Sequence, residues 1–280
     1  VIVPHLQHQA LLADIQAARQ TNDGFRIWWL GQSGFLLQWQ NQHLLFDPYL
    51  SDSLTVKYAN TDKPHVRMTE LAIDPRQLNF LDTVTSSHNH TDHLDGETLT
   101  ALLDVNTSLH LVVPAANQQF AAERLGIEPQ RLIPITDGDS LELDGLRLHA
   151  VPAAHNLVDR DEQGRCRYLG YVAQFGPYTV YHSGDTMMYD GMVDALSSWA
   201  IDVALLPLNG YLPERRVAGN LWGREAAQLA HDIGAKLVIP CHYDMFTFNT
   251  ETTEEFVTKA TELGQPYRVL LCGERYSHSE

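Results

Sequence analysis

The chain of 280 residues is poor in cysteine, in positive charge and in long apolar runs, and each shortage removes a class of protein. Its three cysteines, Cys166, Cys241 and Cys272, are too few and too scattered to form a disulfide framework, so a reducing cytoplasm is the expected setting. Positive charge is scarce: 19 Lys and Arg face 35 Asp and Glu, giving a net charge of −16. Such a field repels phosphate backbones and argues against a protein that tracks nucleic acid. A small anion is still admissible where a few cations converge. No apolar run approaches the ~20 residues that cross a bilayer. Residues 1–20 carry a helical apolar rhythm rather than the continuous stretch of a signal peptide, while the start at Val1 instead of Met leaves a removed leader open. Solenoid repeats and low-complexity linkers are also missing, so one domain over 1–280, built from two αβ halves, is the expectation, with self-association left open.

What the chain does have is histidine, and three of its 14 fall in Ser87-His88-Asn89-His90-Thr91-Asp92-His93. Neutral imidazoles and a carboxylate are the ligand set for a borderline-soft divalent ion, so zinc, manganese and iron all suit it. A tight loop in this H-x-H-x-D-H spacing could feed two ions, His88 and His90 to one, Asp92 and His93 to the other. The bland alternative is a solvated loop that is rich in histidine by chance. Four ligand-type side chains within six residues weigh against it.

The surrounding pattern alternates strands and helices. Strands are expected at 26–30, 34–39 and 43–47, at 108–113, 132–135, 140–143 and 146–151, at 168–175 and 178–181, at 201–207 and 236–240, and last at 267–271. Helices are expected at 5–19, 96–104, 114–125, 223–233 and 251–263. Residues 51–79 lack periodicity and read as an insertion over an active-site rim, with Lys57, His65 and Arg67 as scattered charges. Ligand-type residues recur just past strands: Asp47 before Pro48, His155 after 146–151, Asp185 in His182-Ser183-Gly184-Asp185, and His242 after 236–240. Gly184 lets the backbone fold tightly and bring a carboxylate close to an ion, and His182 is placed to orient that loop. Tyr243 could donate to a developing oxyanion, and the neighbours Arg215 and Arg216 could clamp a phosphate. Cys241, beside His242, reads as a buried apolar cysteine at the end of a core strand rather than a thiolate.

The ordered set H-x-H-x-D-H, His, Asp, His, spread from Asp47 to His242, resembles the metallo-β-lactamase superfamily. Trp28-Trp29-Leu30-Gly31, Tyr181-His182-Ser183-Gly184-Asp185 and 235–244 are similar to its L-ascorbate-6-phosphate lactonase branch, although His155 stands where that branch carries an acidic residue. The histidine loop equally resembles N-acyl-phosphatidylethanolamine phospholipase D. The resemblance implies an α/β fold of the αββα sandwich type, two mixed sheets flanked by helices. It implies two divalent ions, manganese or zinc with iron as an option, held by His88, His90, His155, Asp92, His93, Asp185 and His242. Asp185 would bridge the ions, and Asp47 would brace the histidine loop, unless it merely caps a turn. The implied activity is hydrolysis by a metal-bound hydroxide that opens a phosphorylated sugar lactone, with Asp92 passing a proton to the leaving oxygen. A phosphodiesterase of the phospholipase D type and a non-catalytic metal-holding scaffold are the competing expectations.

Overall fold

Near-continuous runs of bulky apolar residues, buried on both faces, make the first hairpins. Strands β1 (Phe25–Trp29), β2 (Phe35–Trp39) and β3 (Gln42–Phe46) form an antiparallel meander in the computed structural model, which describes residues 1–20 and 23–279. β4 (Thr83–Thr85), β5 (His110–Pro114) and β6 (Ile133–Ile135) extend it in parallel, and β13 (Arg275–His278) closes the opposite edge against β1. A second sheet runs in the order β12 (Leu237–Cys241), β11 (Val203–Pro207), β10 (Tyr178–His182), β9 (Leu169–Phe175), β8 (Leu146–Pro152) and β7 (Ser140–Leu143). Both sheets are mixed.

The inner faces meet through aromatic contacts. Phe25 of β1 meets Phe175 of β9 edge to face at 5.3 Å between ring centres, and Phe46 of β3 stacks on His182 of β10 at 4.9 Å. Phe25 and Phe35 are fully buried in this layer, while Trp28 is buried on the other face of β1, where its Nε1 donates to Asp14 at 2.8 Å. The layer between the sheets and their covered outer faces therefore both contribute apolar burial. The helices are α1 (His8–Ala18), α2 (Ser53–Tyr58), α3 (Gly96–Val105), α4 (Gln118–Leu125), α5 (Met192–Ser197), α6 (Gly223–Asp232) and α7 (Glu254–Leu263). This is the expected sandwich of two mixed sheets flanked by helices.

Several stretches depart from the sequence pattern. Pro114, expected to open a helix, ends β5, so that α4 starts only at Gln118, and α5 was not expected. Residues 267–271 make only an isolated bridge, Val238 to Tyr267; the last strand is β13, reached after Gly273 turns the chain at φ 78° against the Leu6 backbone. Helix α1 starts at His8 rather than residue 5: Gln7 is extended at φ −141° and ψ 146°, and the His5 N–H is held by the Cys272 carbonyl at 2.7 Å. Segment 51–79 is not irregular throughout: it contains α2 and a 3-10 turn at Pro75–Gln77.

Parallel strands point their C-terminal ends the same way. β3 and β4 in one sheet, and β10, β11 and β12 in the other, therefore discharge their loops at shared ends of the sheets. Asp47, the histidine loop, Asp185 and His242 follow β3, β4, β10 and β12 directly.

Candidate metal centre

Those loops bring the histidines into one cluster. Donor atoms of His88, His90 and His155 lie within 4.8 Å of one another, as do those of Asp92, His93 and His242. Asp185 reaches both groups: its Oδ2 is 3.3 Å from His93 Nε2, 3.3 Å from His242 Nε2 and 3.6 Å from His155 Nε2.

Each of three imidazoles is held by one nitrogen and offers the other. His155 Nδ1 lies 2.7 Å from the Gly219 carbonyl, which only accepts, so Nδ1 carries the hydrogen and Nε2 keeps a lone pair. His93 Nδ1 meets the Asp47 carboxylate at 2.7 Å with the same result. His88 Nδ1 lies 3.0 Å from Ser87 Oγ, whose own hydrogen goes to Asp47, so a relay of bonds again leaves Nε2 facing the cluster. The Nε2 atoms of His88 and His93 are buried and have no hydrogen-bond partner among the described residues. Buried polar atoms are ordinarily paired, and a lone pair kept dry among other donors fits a cation.

Electrostatics agree. Burial pushes the His88 imidazole well below its ordinary range, with His93 and His90 adding to the effect, and pushes His155 down to about 4. These rings are therefore neutral, the form that ligates. His93 goes the other way: burial opposes its charge, but Asp185 and Asp92 outweigh that and raise it well above the ordinary value. Burial also opposes ionisation of Asp185, yet His242 and His93 hold it well below the usual carboxylate range. The cluster draws positive charge to itself, and the donor chemistry fits a divalent ion that competes with the His93 proton.

Residues 42–243 match the family described as a beta-lactamase superfamily domain. The chain belongs to the metallo-β-lactamase superfamily. A UPF0173 metal-dependent hydrolase of Rubrobacter xylanophilus is 29% identical over 247 residues, covering 86% of this chain and 90% of that one. Among solved structures, Igni18, a metallo hydrolase of the archaeon Ignicoccus hospitalis, superposes with a TM-score of 0.67 at 21% identity over 91% of this chain and 99% of that one. An isothiocyanate hydrolase from Delia radicum gut bacteria gives 0.71 at 18% identity, over 91% and 100%. At such identities the two structures speak for the fold alone.

In this superfamily member Asp47 has no oxygen to spare. Oδ1 accepts from the Ser87 N–H at 2.9 Å, and Oδ2 takes both the Ser87 hydroxyl and His93. His182 also has both nitrogens engaged, Nε2 with the Ser33 carbonyl at 2.9 Å and Nδ1 with the Gly184 N–H at 3.3 Å, so it steadies the loop that carries Asp185. A Cβ on Gly184, which sits at φ 60°, would stand 2.6 Å from the Ser87 Cβ, so glycine is what lets the two ligand loops touch.

Two expectations fail on position. The Tyr243 hydroxyl donates to the Leu270 carbonyl while the ring packs on Trp29, and a hydroxyl satisfied in the core is not available to an oxyanion. The Arg215 guanidinium is spent on the Asn209 and Thr250 carbonyls and on Glu251, which leaves Arg216 as the only one of the pair on the cavity wall.

The cavity over the cluster measures about 370 Å³. Lys57, Lys63, Arg124 and Arg216 line it, and among the described residues its lining carboxylates are Asp92 and Asp185. Leu54, Tyr58, Phe246 and Phe248 supply an apolar wall, so 51–79 contributes more than solvated charge. The sequence reading missed Ser87, Arg124 and Gln32. Arg124 donates to the Asn89 and Leu94 carbonyls at 2.7 and 3.2 Å, pinning the histidine loop to α4. Gln32 follows β1 between two glycines, at a strand end like the ligands, and that position was its one available signal.

Proposed function

We propose that this protein is a metal-dependent hydrolase that opens a lactone, or a comparable ester-type bond, in a small anionic substrate such as a phosphorylated sugar. The observation that carries the reading is one cavity with His90, His155 and His242 of the imidazole cluster on its floor and four cations on its wall. In a chain of net charge −16 those cations stand against the overall field. Arg124 pins the histidine loop, Arg216 also pairs with the exposed Asp62 at 2.8 Å, and Lys63 donates to the Arg215 and Arg216 carbonyls. An anion bound in the cavity would still meet their charge.

On this reading His88, His90 and His155 hold one divalent ion, Asp92, His93 and His242 a second, and Asp185 reaches both. Manganese, zinc and iron all suit the mixed nitrogen and oxygen donors. Ions held there would supply Lewis-acid polarisation of a scissile carbonyl and a water of lowered pKa. Asp47 and Ser87 keep the His88 and His93 rings in the ligating tautomer. Asp92, which lines the cavity, accepts the proton that the attacking water releases and returns it to the leaving oxygen. Arg216, Lys57 and Lys63 hold the substrate's anionic group. Residues 1–280 act as one catalytic domain, with 51–79 as part of the substrate wall.

The apolar wall of Tyr58, Phe246 and Phe248 favours a second reading, a phosphodiesterase of the phospholipase D type whose substrate carries an apolar arm. Elemental analysis of untagged protein, joined to assays on a sugar-phosphate lactone and on bis-p-nitrophenyl phosphate, separates the two. Bound metal with lactone turnover, both lost in His88→Ala, supports the lactonase. Diester turnover alone moves the assignment to the phosphodiesterase. Metal without either turnover leaves a metal-holding scaffold, and failure to bind or act with added manganese or zinc rejects the enzyme.

A further inference from the structure

Gln32 is almost wholly buried at the turn after β1, with its backbone at φ 50°. The turn is fixed from two sides, because its carbonyl accepts from the His242 N–H at 3.0 Å and from Trp29 Nε1 at 2.9 Å. The side chain is thereby delivered to the Asp92, His93 and His242 group. Its amide nitrogen lies 2.7 Å from Asp92 Oδ2 and 3.1 Å from His242 Nε2. The other amide atom, Oε1, is buried with no hydrogen-bond partner among the described residues.

A primary amide can turn over about its last bond and exchange its two ends at almost no change in shape. Turned over, Oε1 would lie against Asp92 Oδ2, which is repulsive for two oxygens alone and favourable when they share a cation. The two separations are those of neighbouring ligands: bonds of about 2.0–2.1 Å at right angles put donors about 3 Å apart. We propose that the Gln32 side-chain oxygen is a ligand of the ion held by Asp92, His93 and His242. The inference rests on the metal reading above and adds a donor to it. A neutral oxygen makes that site harder and higher in coordination number than the three-imidazole site, so it favours manganese over zinc there, the reverse of a tetrahedral site.

The test is titration of the purified apoprotein with manganese and with zinc, followed by calorimetry and by the electron paramagnetic resonance of bound manganese. Gln32→Met keeps the length of the side chain and removes both amide atoms. The second equivalent of manganese is expected to weaken by about 10–100-fold, with zinc weakened less and the first equivalent unchanged. Gln32→Glu separates ligand from brace. A carboxylate can ligate but cannot donate to Asp92, so it should hold the second ion at least as well as Gln32 does. Circular dichroism checks that both variants fold, and should Gln32→Met fail to, Gln32→Glu carries the test with Gln32→Ala as its partner. Wild-type affinity for the second ion in the Met or Ala variant would overturn the proposal, as would its loss in the Glu variant. A wild-type protein that takes one ion and turns over lactone would overturn it and leave the functional reading standing. Protein that takes no ion would remove both.

Discussion

Asp47 stands at φ 39°, a conformation that an aspartate adopts at a cost, and it spends both oxygens on Ser87 and His93. The strain is offset because this one carboxylate sets the tautomer of two ligand rings. Asp47→Asn replaces an acceptor by a donor that faces another donor, so metal affinity should fall by about 10–100-fold. Competition against a chelator measures it, with circular dichroism expected to be unchanged. The paired arginines make an opposite test of position. Arg216→Ala should raise KM for a phosphorylated substrate about tenfold, the worth of one lost charge-assisted bond of about 1.5 kcal/mol, and leave an unphosphorylated one alone. Arg215→Ala should leave both KM values unchanged and show itself in stability, because it strips bonds from the Asn209 and Thr250 carbonyls. Equal KM effects from the two variants would refute the assignment.

At the level of elements, the ligands are set by where strands stop. The run 201–207 and the ends of 178–181 and 236–240 were legible because continuous apolar residues report a strand buried on both faces, whatever it pairs with. Residues 267–271 have a similar look and are not a strand: they touch the edge of β12 only through the bridge of Tyr267 to Val238, and the last strand to pair is β13, on β1 of the other sheet. Pairing partners are decided by topology, which local composition does not encode. The close approach of two loops at Gly184 is also an element-level fact, and it predicts a contrast. Gly138→Ala, at φ 88° with open space around it, should cost only the left-handed strain of about 1–2 kcal/mol. Gly184→Ala should cost that strain plus about 1–3 kcal/mol of overpacking, and should also weaken metal binding. Urea unfolding of both variants checks the order. Equal losses would mean that the loops part without effect.

Across the whole molecule, metal and fold are linked, because a site built from β3, β4, β8, β10 and β12 exists only when both sheets are assembled. At a hundredfold excess of free ion over Kd, binding should add about 2.7 kcal/mol of stability. Chelation should then lower Tm by several degrees, at about 2–4 °C for each kcal/mol in a chain of this size. Calorimetry with and without chelator reads this directly, and a Tm indifferent to chelator would speak against a resident ion. Among the described residues no helix is long and apolar enough to cross a membrane, and the three cysteines are free and buried.

The sequence by itself determined the ligand set: a histidine loop of fixed spacing, further ligand-type residues at strand ends, and apolar periods that mark most of the strands and helices. These are local facts, carried by residue type and spacing, while the two sheets were implied by the family resemblance. Only the tertiary structure decided which of them meet. It turned the Tyr243 hydroxyl into the core, spent Arg215 on loop carbonyls, committed Asp47 to Ser87 and His93, and brought Gln32 from the β1 turn to Asp92, 60 residues away in sequence. The physical reason is that a side chain's role depends on which hydrogen-bond partners burial leaves it, and those partners come from loops that the tertiary fold brings together.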